Sequence, residues 1–189
     1  SFSFWINVTS TSLGTSQTII GHGSVYLQIK SNTIEFFVKD EDLNNSEWST
    51  TYTSTNKWDF IVVSWNGMPT TNPIIYINGI SQTVTKITSA ATNPVRNLQT
   101  KVYLFDGVAG GSDYELQGSL TDMAVWTTEF TPTQVSELYN ADGKALGVSF
   151  YSSLIDYWRL GTENVLSAIA VGDAIPNGTV IPSDIGKNA

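Results

Sequence analysis

The sequence predicts an all-β domain, two antiparallel sheets packed as a sandwich, with one short helix. Three observations carry that expectation. Apolar and polar residues alternate with period two in short runs, turn formers divide the runs at about 8–12-residue intervals, and a single segment has helical spacing. No strand–helix–strand alternation is present, which separates the chain from parallel α/β folds. At 189 residues it can bury one substantial core.

The elements follow in order. In the first strand Phe2, Phe4 and Ile6 share one face, with Ser3, Trp5 and Asn7 on the other. Short strands are expected at 18–20, 25–29 and 33–38, divided by Gly14, by Gly21-His22-Gly23 and by Ser31-Asn32. Residues 40–47 read as a polar, acidic loop. Residues 58–65 (Trp-Asp-Phe-Ile-Val-Val-Ser-Trp) are the most apolar run and predict a central strand. Pro69 and Pro73 keep 68–73 in a loop, because proline cannot donate to a ladder. Asn78-Gly79, between strands at 74–77 and 80–84, is the strongest hairpin signal, since both residue types tolerate the positive φ of a type I′ turn. Further strands are expected at 101–105 and 118–126. The helix carries Pro132, Val135, Leu138 and Tyr139, with Thr131 as cap and Gly143 as terminator.

Past residue 146 the pattern turns rich in glycine, proline and asparagine. Residues 1–146 therefore form the expected domain. Residues 147–189 are an extension that packs on the sandwich, giving Trp158 a burial site, or links to a further module. The chain opens mid-strand, as a piece of something longer would.

Composition narrows the partners. Charged residues make up 14%, against about 25% in an average domain, so threonine, serine and asparagine dress the surface. The formal net charge is −8 and no basic run exists. That excludes a nucleic-acid partner, which needs lysines and arginines to displace phosphate counterions, and disfavours anionic membranes. No cysteine is present, hence no disulfide or thiolate metal site. No stretch approaches the roughly 18 apolar residues of a membrane span.

Five segments, in order over residues 1–143, resemble one family. They are Ser3-Phe4-Trp5-Ile6, residues 58–67, Ile75-Tyr76-Ile77-Asn78-Gly79, residues 116–126 and residues 131–140. Together they are similar to laminin-G-like, concanavalin A-like domains, the group that includes the pentraxins. The resemblance implies a jelly roll of two antiparallel sheets, in a family that often binds glycans or proteins, is often non-catalytic and often carries calcium. The family's first strand is missing, which leaves the sandwich to be completed by the 147–189 extension or the sequence to be a fragment. Residues 153–161 and 181–189 resemble more loosely a segment of tailed-phage structural proteins. That implies a head-decoration, fibre or adhesin protein on a virion surface or otherwise extracellular, binding host glycan or neighbouring virion subunits. A purely structural assembly module is the alternative.

Candidate residues follow. Trp5, Trp58, Trp65 and Trp126 stand in apolar strands and are expected in the core, where each aromatic buries about 150–250 Å². Trp48 and Tyr52, in polar surroundings, and Tyr114, beside Gly110-Gly111, are expected to be exposed, stacking on a pyranose or covering a subunit contact. Asp40 and Asp42 offer the hard oxygen ligands that calcium prefers, without the spacing of an EF-hand. Asp106 and Asp113 flank 107–111, and the resemblance marks Asp122 for a structural cation. No catalytic set assembles. His22 is the only histidine, in a Gly-His-Gly turn. Asp113 and Glu115 would share a strand face, as paired glycosidase carboxylates do, but Gln117 stands where those enzymes carry a third acid. Polysaccharide hydrolysis is therefore a remote alternative.

Overall fold

A computed structural model describes residues 1–12, 14–22, 24–95, 103–104 and 116–159. Asp106, Asp113, Tyr114, Glu115 and the tail beyond residue 159 lie outside the described residues. Among those described, twelve strands form two antiparallel six-stranded sheets. The first runs β12 (Leu154–Trp158), β11 (Gly118–Trp126), β1 (Phe2–Val8), β6 (Asp59–Ser64), β7 (Ile74–Ile77) and β8 (Ile80–Ser81). The second runs β10 (Tyr103–Leu104), β2 (Gln17–His22), β3 (Val25–Lys30), β4 (Thr33–Lys39), β5 (Asn45–Thr51) and β9 (Thr85–Ser89). This is the expected jelly-roll sandwich. No described helix is long and apolar enough to cross a membrane.

Alternation builds the space between the sheets. Phe4, Ile6, Ile61 and Val63 from the first sheet share one buried cluster with Leu27, Ile29, Ile34, Phe36 and Trp48 from the second. Each such side chain contributes about 1.5–3 kcal/mol by leaving water. Phe36 is the hub. It stacks on Trp48 at 5.9 Å between ring centroids and meets the edge of Trp65 at 5.3 Å.

The other face of the first sheet is also covered. Helix α1 (Pro132–Asn140) starts at Thr131, whose hydroxyl accepts from the Gln134 N–H while the Gln134 side chain accepts from the Thr131 N–H. This capping box satisfies two otherwise orphaned donors. Val135 and Leu138 join a second buried cluster with Phe60, Val62, Trp126 and Tyr157. Gly143, at φ +73°, ends this segment because only glycine fits. A Cβ there would sit 2.6 Å from Trp5 Nε1 and 2.8 Å from Phe60. Strand β12 pairs with β11 and supplies an edge of the first sheet.

Several expectations are corrected. Trp58 lies just before β6 and is 46% exposed, while Trp65 enters the inter-sheet core. Trp126 is buried as expected and Trp5 is half-buried, both in the second cluster on the helix side of the first sheet. Residues 45–51, of which 45–47 fall in the expected acidic loop, form β5. Small polar side chains hid its alternation: Ser46, Trp48 and Thr50 are buried while Asn45, Glu47 and Ser49 are half-exposed. The expected strand at 80–84 stops after two residues because the chain then crosses to the second sheet as β9. Thr50 Oγ1 meets that crossing, donating to Thr83 O at 2.9 Å.

Candidate functional site

The second sheet turns one face outward, and the local sequence places a definite set of groups there. Ser31 (φ +49°) and Asn32 (φ +64°) make a two-residue turn with both residues left-handed, and Lys30 pairs with Thr33 across it. That turn sets the register, so Tyr26 lies opposite Phe37 and Gln28 opposite Glu35. The β4–β5 ladder then puts Phe37 beside Glu47 and Glu35 beside Ser49. Leu27, Ile29, Ile34, Phe36 and Val38 point into the core, so these alternate residues face away from it.

Two rows result. One reads Tyr26, Phe37, Glu47 and Thr88 across β3, β4, β5 and β9. The Tyr26 and Phe37 rings, both half-exposed, meet edge to face at 5.8 Å. Lys39 Nζ stands 5.8 Å from the Phe37 centroid, within the range of a cation–π interaction. The next row holds Gln28, Glu35 and Ser49. Gln28 Nε2 donates to Glu35 Oε2 at 2.7 Å, and the Thr33 hydroxyl lies 3.2 Å from Glu35 Oε1. Glu47 differs: among the described residues its carboxylate has no hydrogen-bond partner. Burial pushes its carboxyl above the ordinary value, repulsion from Glu35 adds to this, and Lys30 opposes it. Burial likewise raises the Tyr26 phenol. An aromatic pair beside an uncommitted acceptor can stack on the C–H face of a ring while binding its hydroxyls.

None of the three aromatic residues singled out in the sequence belongs to this face as described. Trp48 is fully buried, covered by Phe36 and by Lys86 at 5.5 Å, and its indole N–H donates to Asn72 Oδ1 at 2.8 Å. Tyr52 is buried and donates to Asp59 Oδ2 at 3.2 Å; burial first, and then the Asp59 charge, push its phenol far up. Neither offers a ring face to a sugar. Tyr114 lies outside the described residues. Tyr26 and Phe37 went unrecognised because they sit inside apolar runs that read as core throughout; the signal was period two, which puts them opposite Leu27 and Phe36.

The acidic residues hold structure. Asp40 is buried, and both its oxygens are occupied by N–H donors. Oδ1 accepts from the backbones of Asp42 at 3.0 Å and Asn44 at 2.9 Å, and Oδ2 from those of Thr92 at 3.0 Å and Asn93 at 3.3 Å. Burial would raise its carboxyl, but these bonds outweigh that and hold it below the ordinary value. Asp42 accepts from Asn93 Nδ2 at 2.7 Å. Asp122 sits on the other sheet at φ +50°, in a bulge of β11. It accepts the Tyr157 hydroxyl and stands 3.9 Å from Arg159 Nε. A cation would have to displace N–H donors at Asp40 or compete with an arginine at Asp122, so these donor sets do not fit calcium. Among the described residues no three His, Asp or Glu side chains gather where they could hold a metal ion.

The chain has known likenesses. A family model described as the concanavalin A-like lectin/glucanases superfamily matches residues 1–136. Among solved structures, a candidate carbohydrate-binding protein from Bacteroides ovatus aligns with TM-score 0.61 and 18% identity, over 88% of this chain and 49% of that one. The receptor-binding domain of botulinum neurotoxin D aligns with TM-score 0.57 and 21% identity, over 75% of this chain and 36% of the other. The serotype G binding domain gives 0.56 and 22%, over 76% and 36%. This chain thus spans between about a third and a half of the solved chains it resembles, and at these identities the likeness is one of fold. No curated protein sequence matches it.

Proposed function

The chain belongs to the concanavalin A-like lectin/glucanase superfamily, and on that premise we propose that it is a non-catalytic carbohydrate-binding domain whose ligand lies across β3, β4 and β5. One observation carries the reading: the half-exposed Tyr26–Phe37 pair on the outward face of the second sheet. A rigid sheet holds both rings in place, so stacking costs little ordering entropy. The lectin-like fold and the carbohydrate-binding description of the Bacteroides neighbour support the ligand class. In the same reading the domain stands on a virion surface or outside a cell and meets host glycan. The support there is the looser likeness of residues 153–161 and 181–189 to phage structural proteins.

A glycan array probed with the whole chain tests this. Binding is expected, and Phe37→Ala and Tyr26→Ala should each weaken it about five- to tenfold while thermal unfolding stays cooperative. Aromatic stacking losses of about 1–1.5 kcal/mol correspond to that factor. Binding untouched by both substitutions would remove this face as the site. Release of reducing sugar from a bound polysaccharide would replace the non-catalytic reading with hydrolysis.

A further inference from the structure

We propose that Glu47 determines specificity on this face, selecting neutral sugars that present two adjacent hydroxyls and discriminating against uronic and sialic acids. The inference rests on the reading of the outward face as the carbohydrate site. It begins from a contrast between two glutamates one register step apart. Glu35 is engaged by Gln28 at 2.7 Å. Glu47 is half-buried between Phe37 on β4 and Thr88 on β9, yet makes no hydrogen bond to any described residue.

The half-buried Glu47 carboxylate is solvated in the free protein and is not committed to another side chain, so its oxygens are open to donors from a ligand. Sugar hydroxyls are such donors. Two neighbouring hydroxyls match the two oxygens of one carboxylate, and bonds to a charged acceptor are about twice as strong as neutral ones. The spacing also fits. Adjacent strands stand about 4.8 Å apart, so the Phe37 ring and the Glu47 carboxylate can meet the same pyranose, one stacking and the other accepting.

Charge supplies the discrimination. An acidic sugar at the Phe37 ring would bring a second carboxylate beside Glu47, whose ionised form is already disfavoured by burial and by Glu35. Lys30 opposes that repulsion and Lys39 flanks Phe37, while Glu47 is the residue in register beside that ring.

The test is titration calorimetry with a neutral oligosaccharide identified on the array and with its analogue carrying a uronic acid. Wild type is expected to bind the neutral sugar at least about tenfold more tightly. Glu47→Gln, which keeps the shape but loses the charge, should weaken neutral binding by about tenfold and narrow the gap between the two ligands. Glu47→Asp keeps the charge on a shorter stem and should fall between. Equal affinity for both ligands in wild type would overturn the inference. So would unchanged neutral binding in Glu47→Gln alongside its loss in Phe37→Ala, an outcome that leaves the carbohydrate reading standing. If no glycan of either kind binds wild type, that reading fails and takes the inference with it.

Discussion

The two sheets share one core but differ on their outer faces. In β6 all six residues are buried, because helix α1 and its flanking segments cover the far side. In β4 burial alternates strictly, with Ile34, Phe36 and Val38 inside and Thr33, Glu35, Phe37 and Lys39 half-exposed. A strand covered on both sides reads as a continuous apolar run, while a strand covered on one side alternates. Tyr26 and Phe37 are therefore informative: they are aromatic residues on a face shared with Gln28, Glu35, Glu47 and Ser49. On the covered sheet an aromatic ring needs no further explanation, as Phe60 shows. On the open one it does.

The contrast is sharpest within neighbouring residues. Phe36→Ala and Phe60→Ala should each cost about 3–5 kcal/mol, since each removes a fully buried ring and leaves a cavity. Phe37→Ala should cost about 1 kcal/mol or less, as half-exposed positions do. Denaturant unfolding measures all three, and a Phe60→Ala loss no larger than that of Phe37→Ala would break the comparison.

On the open sheet a buried carboxylate ties two loops together. Asp40 ties residues 42–44 to residues 92–93. Its folded carboxyl titrates below the ordinary value of about 3.9. The stability it contributes is therefore fully present above that value and is lost as pH falls through the folded one. Asp40→Asn should lower the denaturation midpoint at neutral pH and shrink the wild-type loss of stability in acid. A variant whose acid limb matches wild type would show that the bonds are worth little.

The smallest effect concerns the tryptophans. Trp58→Ala should change stability by about 1 kcal/mol or less because the ring is nearly half in water, whereas Trp65→Ala removes the edge contact to Phe36 and should cost several times more. Equal losses on thermal unfolding would place Trp58 in a packed environment after all.

Much of the fold was legible in the residues. The turns at Ser31-Asn32 and Asn78-Gly79, the cap at Thr131 and the strand alternation all depend on neighbours within a few positions. The candidate site was less legible. Trp48 looked exposed because its flanks are polar, although period two pairs it with Ser46 and Thr50 on the buried side. Glu47 looked like one acid of a solvated loop, and its lack of a partner depends on Phe37 and Thr88, which are distant in sequence.

What the chain alone determined is most of the strands and their turns, β5 and β9 excepted, because backbone sterics and alternation act locally. What only the tertiary structure decided is which sheet receives the helix, which tryptophan the core takes, and which carboxylates find donors. Those outcomes depend on strands brought together from far apart, Asp40 with Thr92 or Trp5 with Gly143, and burial is a property of that assembly.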